Sequence, residues 1–285
     1  MPVETKNRGK VYAIAALCII PAATALALLL SFLLAMAAPP AEPLPTTIPT
    51  QPQPTLFIEQ SLPPSAFDQA DFVPQGSYLS CPAGDAVLGI DVSHHQQEID
   101  WDQVKASGIE FVMVRLGYRG LSEEGSLYTD RYVHQNLQGA RAAGLLVGAY
   151  FYSQARSTEE AVAEAEYALS ILGDFDLDLP LTYDWEEEKR NAGMDPQTVT
   201  DCAVAFCQVV EQAGRDTMIY FNSYQATELM HLLQLTRYPW WLAMYNREKE
   251  FPCRFDMWQY TDSGSVPGIE GNVDMNLLFP SEDIP

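Results

Sequence analysis

The strongest fold signal in this chain lies in residues 146–185, which read LVGAYFYSQARSTEEAVAEAEYALSILGDFDLDLPLTYDW. The stretch opens with an apolar run (146–153), continues as an Ala/Glu-rich amphipathic segment that Ser157 can cap, and closes with a second apolar run (179–185). Two apolar runs on either side of a capped helix are typical of a β-α-β unit, whose strands lie parallel in one sheet. The stretch therefore predicts an α/β fold.

The sequence on both sides repeats this alternation. We predict eight strands, at residues 87–93, 111–118, 146–153, 179–185, 218–223, 241–246, 255–261 and 273–278. Amphipathic helices are expected after each of the first five strands, whereas the last three are joined by loops too short for full helices. This pattern predicts an irregular TIM-like (β/α) barrel, closed and mostly parallel, in a domain of residues 82–285.

The N-terminal part of the chain has a different composition. Residues 1–10 are basic and residues 11–38 carry no charge, a length that suffices for a transmembrane helix. The basic flank predicts a cytoplasmic tail, a single span at 11–38 and an extracellular remainder attached to the cell membrane. A signal peptide cleaved near Ala35-Met36-Ala37, followed by secretion, is the alternative. Residues 39–81 are rich in proline and predict an extended extracellular stalk.

The charge of the chain narrows its partners. Its 285 residues hold 16 Lys+Arg against 38 Asp+Glu, a net charge of −22, which disfavours nucleic-acid binding. No second binding module follows the last predicted strand, and we expect a monomer. Export permits disulfides, and a bridge between Cys81 and Cys253 is possible, although the cysteines are too few for a disulfide-stapled scaffold.

Four acidic residues lie at predicted strand ends, where the active sites of parallel barrels gather. They are Asp91, Asp184, Glu186 and Asp274. Asp184 and Glu186 are two positions apart, so both leave the same face of a strand. Crowded carboxylates raise one another's pKa, and a carboxyl that stays protonated near neutral pH can serve as a general acid. A divalent cation site is the alternative that the acids alone leave open.

Aromatic side chains near the same strand ends favour a carbohydrate groove over a metal site. Candidates for stacking on sugar rings are Tyr150, Tyr152, Trp241, Tyr245 and Trp258, whereas Tyr220, Trp240 and Tyr260 are assigned to the core. His94 and His95 are adjacent on a chain that we expect to be extended, so they should point in opposite directions and hold no metal. The charge run at 187–190 is interpreted as a solvated loop.

These residues resemble the glycoside hydrolase family 25 lysozymes, the N-acetylmuramidases that cut bacterial peptidoglycan. The resemblance covers residues 87–280 and rests on five motifs: Gly89-Ile90-Asp91-Val92-Ser93, Gly148-Ala149-Tyr150-Phe151-Tyr152, Tyr183-Asp184-Trp185-Glu186, Trp258-Gln259-Tyr260 and Asn272-Val273-Asp274-Met275-Asn276. In one departure, Arg115-Leu116-Gly117-Tyr118-Arg119 stands where many members have Lys-x-Ser/Thr-Glu-Gly.

The resemblance implies hydrolysis of the β-1,4 bond between N-acetylmuramic acid and N-acetylglucosamine in peptidoglycan glycan strands, without a cofactor. Glu186 would be the general acid and base, and Asp184 would position the substrate's 2-acetamido group in a retaining, substrate-assisted reaction. Asp91 and Asp274 would shape the electrostatics. The motifs add Trp185 and Gln259 to the substrate-binding candidates. A nucleophile on the enzyme, a chitinase-like or endo-N-acetylglucosaminidase specificity, and a catalytically silent wall-binding protein remain as alternatives.

Overall fold

The computed structural model describes residues 62–245, 251–281 and 284. The predicted cytoplasmic tail, the predicted transmembrane helix and residues 39–61 of the predicted stalk lie outside this part of the chain. Within the described residues, no helix combines the length and the apolar character that a bilayer crossing requires. The described fold is an α/β barrel with eight strands in the ring.

The ring order confirms a closed and mostly parallel barrel. Its strands are β3 (Val87–Val92), β4 (Phe111–Arg119), β6 (Leu146–Ser153), β7 (Leu181–Trp185), β8 (Thr217–Asn222), β9 (Trp240–Ala243), β10 (Met257–Gly264) and β11 (Val273–Leu278). Successive strands from β3 to β10 pair in parallel. β11 closes the ring between β10 and β3 and is antiparallel to both. A hairpin of β1 (Val73–Gln75) and β2 (Tyr78–Ser80) precedes the ring, and β5 (Leu127–Thr129) pairs with the end of β4.

Four α-helices cover the outside of the barrel within the described residues: α1 (Trp101–Ala106), α2 (Val133–Ala142), α3 (Thr158–Leu172) and α4 (Pro196–Gln212). The side chain of Ser157 caps α3, as its position predicts. Helices thus follow four of the ring strands and not five, since β8 is followed only by short π and 3₁₀ turns. The helix after β4 starts only at Val133, because residues 127–129 pair with β4.

The floor of the barrel is filled by apolar side chains that point inward. Phe111, Met113 and Met257 belong to this inner cluster and are fully buried. A Cβ at Gly89 would collide with the Phe111 ring, and one at Gly148 would collide with the Met113 sulfur. Glycine is therefore required at both positions for the large side chains to close the floor, which leaves only the mouth of the barrel for polar groups.

Residues 62–81 do not form an extended spacer, contrary to the predicted stalk boundary at residue 81. Pro64 forms an antiparallel bridge with Cys253, and the Phe72 ring packs edge-on against Trp258, with centroids 4.6 Å apart. Phe72, Leu79 and Cys81 are buried in the core, and Leu62, Phe67 and Tyr78 pack against it, whereas Val73 is exposed. Cys81 and Cys253 are both free thiols, so the bridge considered between them is not formed.

Candidate active site

The four predicted acidic residues line a single cleft of about 200 Å³ at the mouth of the barrel. Asp91 lies near the end of β3 and Asp184 near the end of β7, with Glu186 just beyond that strand. Asp274 lies at the start of β11, directly opposite Asp91 in the sheet register. Because β11 is antiparallel, its first residues, and not its carboxyl end, reach the rim that the other strands reach with their ends.

Asp91 is held by two side-chain amides. Gln259 Nε2 and Asn276 Nδ2 donate to Asp91 Oδ2 at 2.8 and 2.9 Å. Each amide is oriented in turn, because Tyr245 donates its hydroxyl to Gln259 Oε1 (2.8 Å) and Trp241 donates its indole N–H to Asn276 Oδ1 (2.8 Å). With their oxygens occupied, both amides must present N–H groups to Asp91.

Burial and mutual repulsion raise the pKa values of the cleft carboxyls. Burial, and then the charge of Asp91, raise the pKa of Asp274 to about 9. Burial, and then the charge of Glu186, raise the pKa of Asp184 well above its usual range. Burial, followed by the charges of Glu188 and Asp91, raises the pKa of Glu186 to about 6. The cleft therefore holds protons near neutral pH, as a general acid requires.

The two acids from the β7 segment differ in their surroundings. Asp184 Oδ1 is buried and has no hydrogen-bond partner among the described residues. The main chain of Glu186 is fixed, because its carbonyl accepts from Gln154 Nε2 (2.8 Å) and Asn191 Nδ2 (2.9 Å). Asp184 thus offers an unsatisfied oxygen inside the cleft, and Glu186 is attached to a constrained backbone.

The sequence predicts a solvated loop at residues 187–190, but the structure buries part of this segment. The Arg190 guanidinium is completely buried and donates to the Glu160 carboxylate at 2.6 Å and to the Ser122 carbonyl at 3.1 Å. It also donates to the carbonyl of Gln154, whose side chain holds Glu186. A charge that the sequence places in a surface run therefore supports the backbone of the active site.

Arg115 is a cleft residue that the sequence analysis did not select. Its Nε and Nη2 donate to Asp130 at 3.0 and 2.8 Å, and Nη2 also contacts the His94 ring. Burial raises the pKa of Asp130, but hydrogen bonds and the Arg115 charge outweigh it and leave that pKa below its usual value. The signal that could have revealed Arg115 is a charged residue at an inward-facing position of the apolar strand 111–118.

His94 and His95 lie in a 3₁₀ turn, His94–Gln96, and not on an extended chain. Their rings therefore lie side by side, with centroids 4.1 Å apart and planes inclined by 32°, and do not point in opposite directions. His95 lines the cleft and His94 contacts Asp130. Among the described residues, no group of three or more His, Cys, Asp or Glu side chains is arranged to hold a metal ion.

The cleft includes most, but not all, of the predicted sugar-binding residues. Its lining contains Tyr150, Tyr152, Trp241, Tyr245 and Gln259, and also Tyr220, which the sequence analysis had assigned to the core.

Trp185 and Trp258 do not reach the cleft. Trp185 comes directly after Asp184, and Trp258 comes directly before Gln259. Because Asp184 and Gln259 face inward, strand alternation points both tryptophans to the outer face. There Trp185 donates its indole N–H to the carbonyl of Ala155 (3.0 Å), and Trp258 donates to that of Met244 (2.9 Å).

Comparison with known proteins gives a consistent result. The model of the family described as Glycosyl hydrolases family 25 matches residues 90–269. The chain is 30% identical over 214 residues to the uncharacterized protein YegX of Escherichia coli O157:H7, which covers 72% of this chain and 74% of that protein. It is 28% identical over 190 residues to the autolytic lysozyme of Clostridium acetobutylicum, which covers 66% of this chain and 54% of the lysozyme.

A solved structure shows the same fold. The modular autolysin LytC from Streptococcus pneumoniae, in complex with a synthetic peptidoglycan ligand, superposes with a TM-score of 0.59 at 27% identity. The match covers 68% of this chain and 46% of LytC. This chain therefore spans about half the length of LytC and of the autolytic lysozyme.

Proposed function

The chain belongs to glycosyl hydrolase family 25, and on that premise we propose that it cleaves the β-1,4 bond between N-acetylmuramic acid and N-acetylglucosamine. It is a glycoside hydrolase, and the lysozymes among its relatives support peptidoglycan as the substrate. One observation carries the proposal: Asp184, with a buried unpartnered oxygen, and Glu186, with a pKa of about 6, line the same cleft.

Glu186 acts as the general acid in this proposal. A pKa of about 6 leaves about half of the Glu186 carboxyls protonated at pH 6 and about a tenth at pH 7. The carboxyl gives its proton to the glycosidic oxygen as the bond to the sugar breaks. In the second step, the resulting carboxylate takes a proton from the attacking water.

Asp184 orients the 2-acetamido group of the sugar whose bond is cleaved. Its unpartnered Oδ1 receives the acetamido N–H, which turns the acetamido oxygen toward the anomeric carbon. That oxygen is then the nucleophile, and water opens the cyclic intermediate with net retention of configuration. As positive charge develops on the acetamido group, its hydrogen bond to Asp184 Oδ1 strengthens and stabilises the transition state.

Asp91 and Asp274 form the opposite wall and act as a hydrogen-bonded pair. Asp274, with its pKa of about 9, keeps its proton and donates it to Asp91. Two amide donors also point at Asp91, so the pair carries about one negative charge. A fixed charge at this place stabilises the oxocarbenium-like transition state.

The test compares Glu186→Gln with Glu187→Gln, the exposed neighbouring carboxylate, in the full chain. Released reducing ends from purified peptidoglycan should fall by at least about 10²-fold in Glu186→Gln and stay at the wild-type level in the control. Borohydride reduction and mass analysis of the new ends should give muramitol. Glucosaminitol ends would indicate the glucosaminidase alternative, and soluble release by neither wild type nor control would indicate a binding protein.

Retention can be tested on the same products. Proton NMR during the first minutes of hydrolysis should show the β-anomer of the new reducing end. Formation of the α-anomer would overturn the substrate-assisted step.

We also propose that residues 11–38 anchor a monomeric enzyme in the membrane, with residues 1–10 in the cytoplasm and residues 39–61 as the spacer. The basic flank and the uncharged segment support this orientation. In the producing cell, the enzyme should sediment with membranes after carbonate extraction and be cut from outside by protease. An intact mass that lacks the first residues would show a cleaved signal peptide instead.

A further inference from the structure

A short hairpin of β4 and β5 extends from the barrel next to the cleft. Gly117, Tyr118 and Arg119 at the end of β4 pair with Thr129, Tyr128 and Leu127 of β5. Tyr118 and Tyr128 are directly opposite, and their rings stack with centroids 5.3 Å apart and planes inclined by 24°. Tyr128 is 47% exposed, although a ring of that size is usually covered when it has only a structural role.

The contacts of neighbouring residues show which face of the hairpin carries the two tyrosines. Arg119, next to Tyr118, donates to Glu164 on α3, and Thr129, next to Tyr128, hydrogen-bonds Tyr167 on the same helix. Adjacent residues of a strand point to opposite faces. The tyrosine pair therefore faces away from α3.

Arg115 connects this aromatic pair to the cleft. Its guanidinium lies 5.3 Å from the centre of the Tyr118 ring, while the same side chain lines the cleft beside the acids. Asp130 holds the guanidinium in place, and a cation over a tyrosine face is favourable. The surface that runs from the cleft through Arg115 to Tyr118 and Tyr128 is thus continuous.

The local sequence makes room for Tyr128. A Cβ at Gly117 would collide with the Tyr128 carbonyl, and one at Gly120 would press on its ring. Both positions belong to or border the segment 115–119, where this chain departs from the Lys-x-Ser/Thr-Glu-Gly pattern of many family members. Tyrosine at 118 stands where that pattern has an acidic residue.

We propose that Tyr118 and Tyr128 form an additional sugar-binding subsite, on which one N-acetylhexosamine ring of the glycan strand stacks outside the cleft. The cleft volume of about 200 Å³ is below the usual range for a ligand pocket, so a polymeric substrate must continue onto the adjoining surface. A pair of stacked aromatic rings, with Tyr128 exposed and Tyr118 half-buried, suits the apolar face of a pyranose. This proposal rests on the proposed function, because it takes the glycan as the ligand.

The first test measures binding without turnover. In the Glu186→Gln background, the full chain is titrated with purified, insoluble peptidoglycan, and the bound fraction is compared with and without Tyr128→Ala. We expect Tyr128→Ala to weaken binding about two- to tenfold, the range of a single aromatic contact. Tyr128→Phe, which keeps the ring, should bind as the parent does. Leu146→Ala, an exposed apolar residue at the opposite end of the barrel, should also bind as the parent does.

The second test measures the dependence of hydrolysis on chain length. With the active enzyme, kcat/KM is measured on peptide-free glycan strands and on a tetrasaccharide of the same repeat. The kcat/KM on glycan strands divided by that on the tetrasaccharide should fall about two- to tenfold in Tyr128→Ala. The same ratio should keep its wild-type value in Leu146→Ala.

The outcomes separate the two hypotheses. Equal binding and an equal length ratio in Tyr128→Ala and wild type would overturn the subsite, as would a loss in Tyr128→Phe equal to that in Tyr128→Ala. A wild-type chain that binds peptidoglycan through Tyr128 but releases no reducing ends would contradict the proposed function and leave the subsite standing. Circular dichroism and Tm identify any variant that fails to fold, and Tyr128→Leu, which keeps the apolar volume without the ring, then replaces Tyr128→Ala.

Discussion

Two groups of carboxyl groups are buried near the mouth of this barrel, and they differ in how their charge is balanced. The first group, the cleft acids, comprises Asp91, Asp184, Glu186 and Asp274. Arg115 is the arginine that lines their cleft, and it is already engaged with Asp130. The pKa of every cleft acid is raised.

The second group is the ion-pair network, in which Arg119 and Arg190 each bind one glutamate between the barrel and α3. Arg119 Nε donates to Glu164 and Arg190 Nη2 donates to Glu160, both at 2.6 Å. Burial raises the pKa of Glu160, but the hydrogen bonds from Arg190 lower it to about 2. Burial of Glu164 is complete enough to raise its pKa to about 7 despite Arg119.

The same residue type therefore serves two purposes in one protein. Glu160, paired with Arg190, stays charged, and Arg190 in turn fixes Gln154, whose side chain holds the Glu186 carbonyl. A cleft carboxyl without its own cation has a raised pKa and is available for acid–base chemistry. Glu164 shows the limit of charge balance, because its complete burial outweighs the effect of Arg119. Charge balance and burial together therefore set the pKa of each carboxyl here.

The largest effect is expected for Asp184→Asn, which should lower activity by about 10²-fold or more while making the fold more stable. Burial raises the pKa of Asp184 well above its usual value of 3.8. The folded chain therefore holds a proton that the unfolded chain releases above that value, so wild-type stability falls as the pH rises. Asparagine carries no such proton.

Thermal unfolding of both proteins from pH 4 to pH 8 checks this expectation. The Tm of Asp184→Asn should exceed that of the wild type by a margin that grows with pH. A margin that shrinks with pH, or full activity in the variant, would contradict the assignment of Asp184 to the cleft acids.

Arg119→Met should break the ion-pair network and lower the unfolding free energy by about 3–5 kcal/mol at pH 8. The reason is that Glu164, which is completely buried, would be left without its partner. At pH 5 the cost should be smaller, because Glu164 can be protonated there and then needs no cation. Urea unfolding at the two pH values measures the difference.

Arg156→Met is the matched control, since its pair with Glu123 is exposed on both sides. It should change the unfolding free energy by at most about 1 kcal/mol at either pH. Equal losses for Arg119→Met and Arg156→Met would show that the ion-pair network does not stabilise the fold as we describe.

The smallest effect is expected for Glu188→Gln, which sharpens the comparison within the cleft. After burial, the charge of Glu188 is the next cause that raises the pKa of Glu186 to about 6. Since Glu186 must be protonated to act as an acid, kcat/KM should decline above about pH 6. Removing the Glu188 charge lowers that pKa and moves the decline to lower pH. A pH–rate profile shifted upward in Glu188→Gln would be the opposite of this result.

The sequence predicted the barrel and its acids for simple physical reasons. The β-α-β unit at 146–185 is visible because strand and helix have different hydrophobic periods and because Ser157 caps the helix. Asp184 and Glu186 are visible as a pair because a two-residue spacing puts both on one face of a strand. These features depend on neighbours in the chain, so the chain alone reveals them.

Other parts of the site depend on residues that are distant in sequence. The sequence indicates a surface charge at Arg190, but the fold brings Glu160 next to this arginine, and the two charges neutralise each other. The sequence indicates a spacer at residues 62–81, but several apolar side chains of this segment pack against the barrel.

By itself, the sequence determined the alternation of strands and helices and the choice of four acids, because each follows from local periodicity and side-chain chemistry. Only the tertiary structure decided that Asp274 reaches the rim. It does so through the first residues of β11, because that strand enters the ring antiparallel. The tertiary structure also decided which carboxylates pair with an arginine. A charge is balanced by the groups that the fold brings within hydrogen-bonding distance, and the order of residues along the chain does not specify which groups these are.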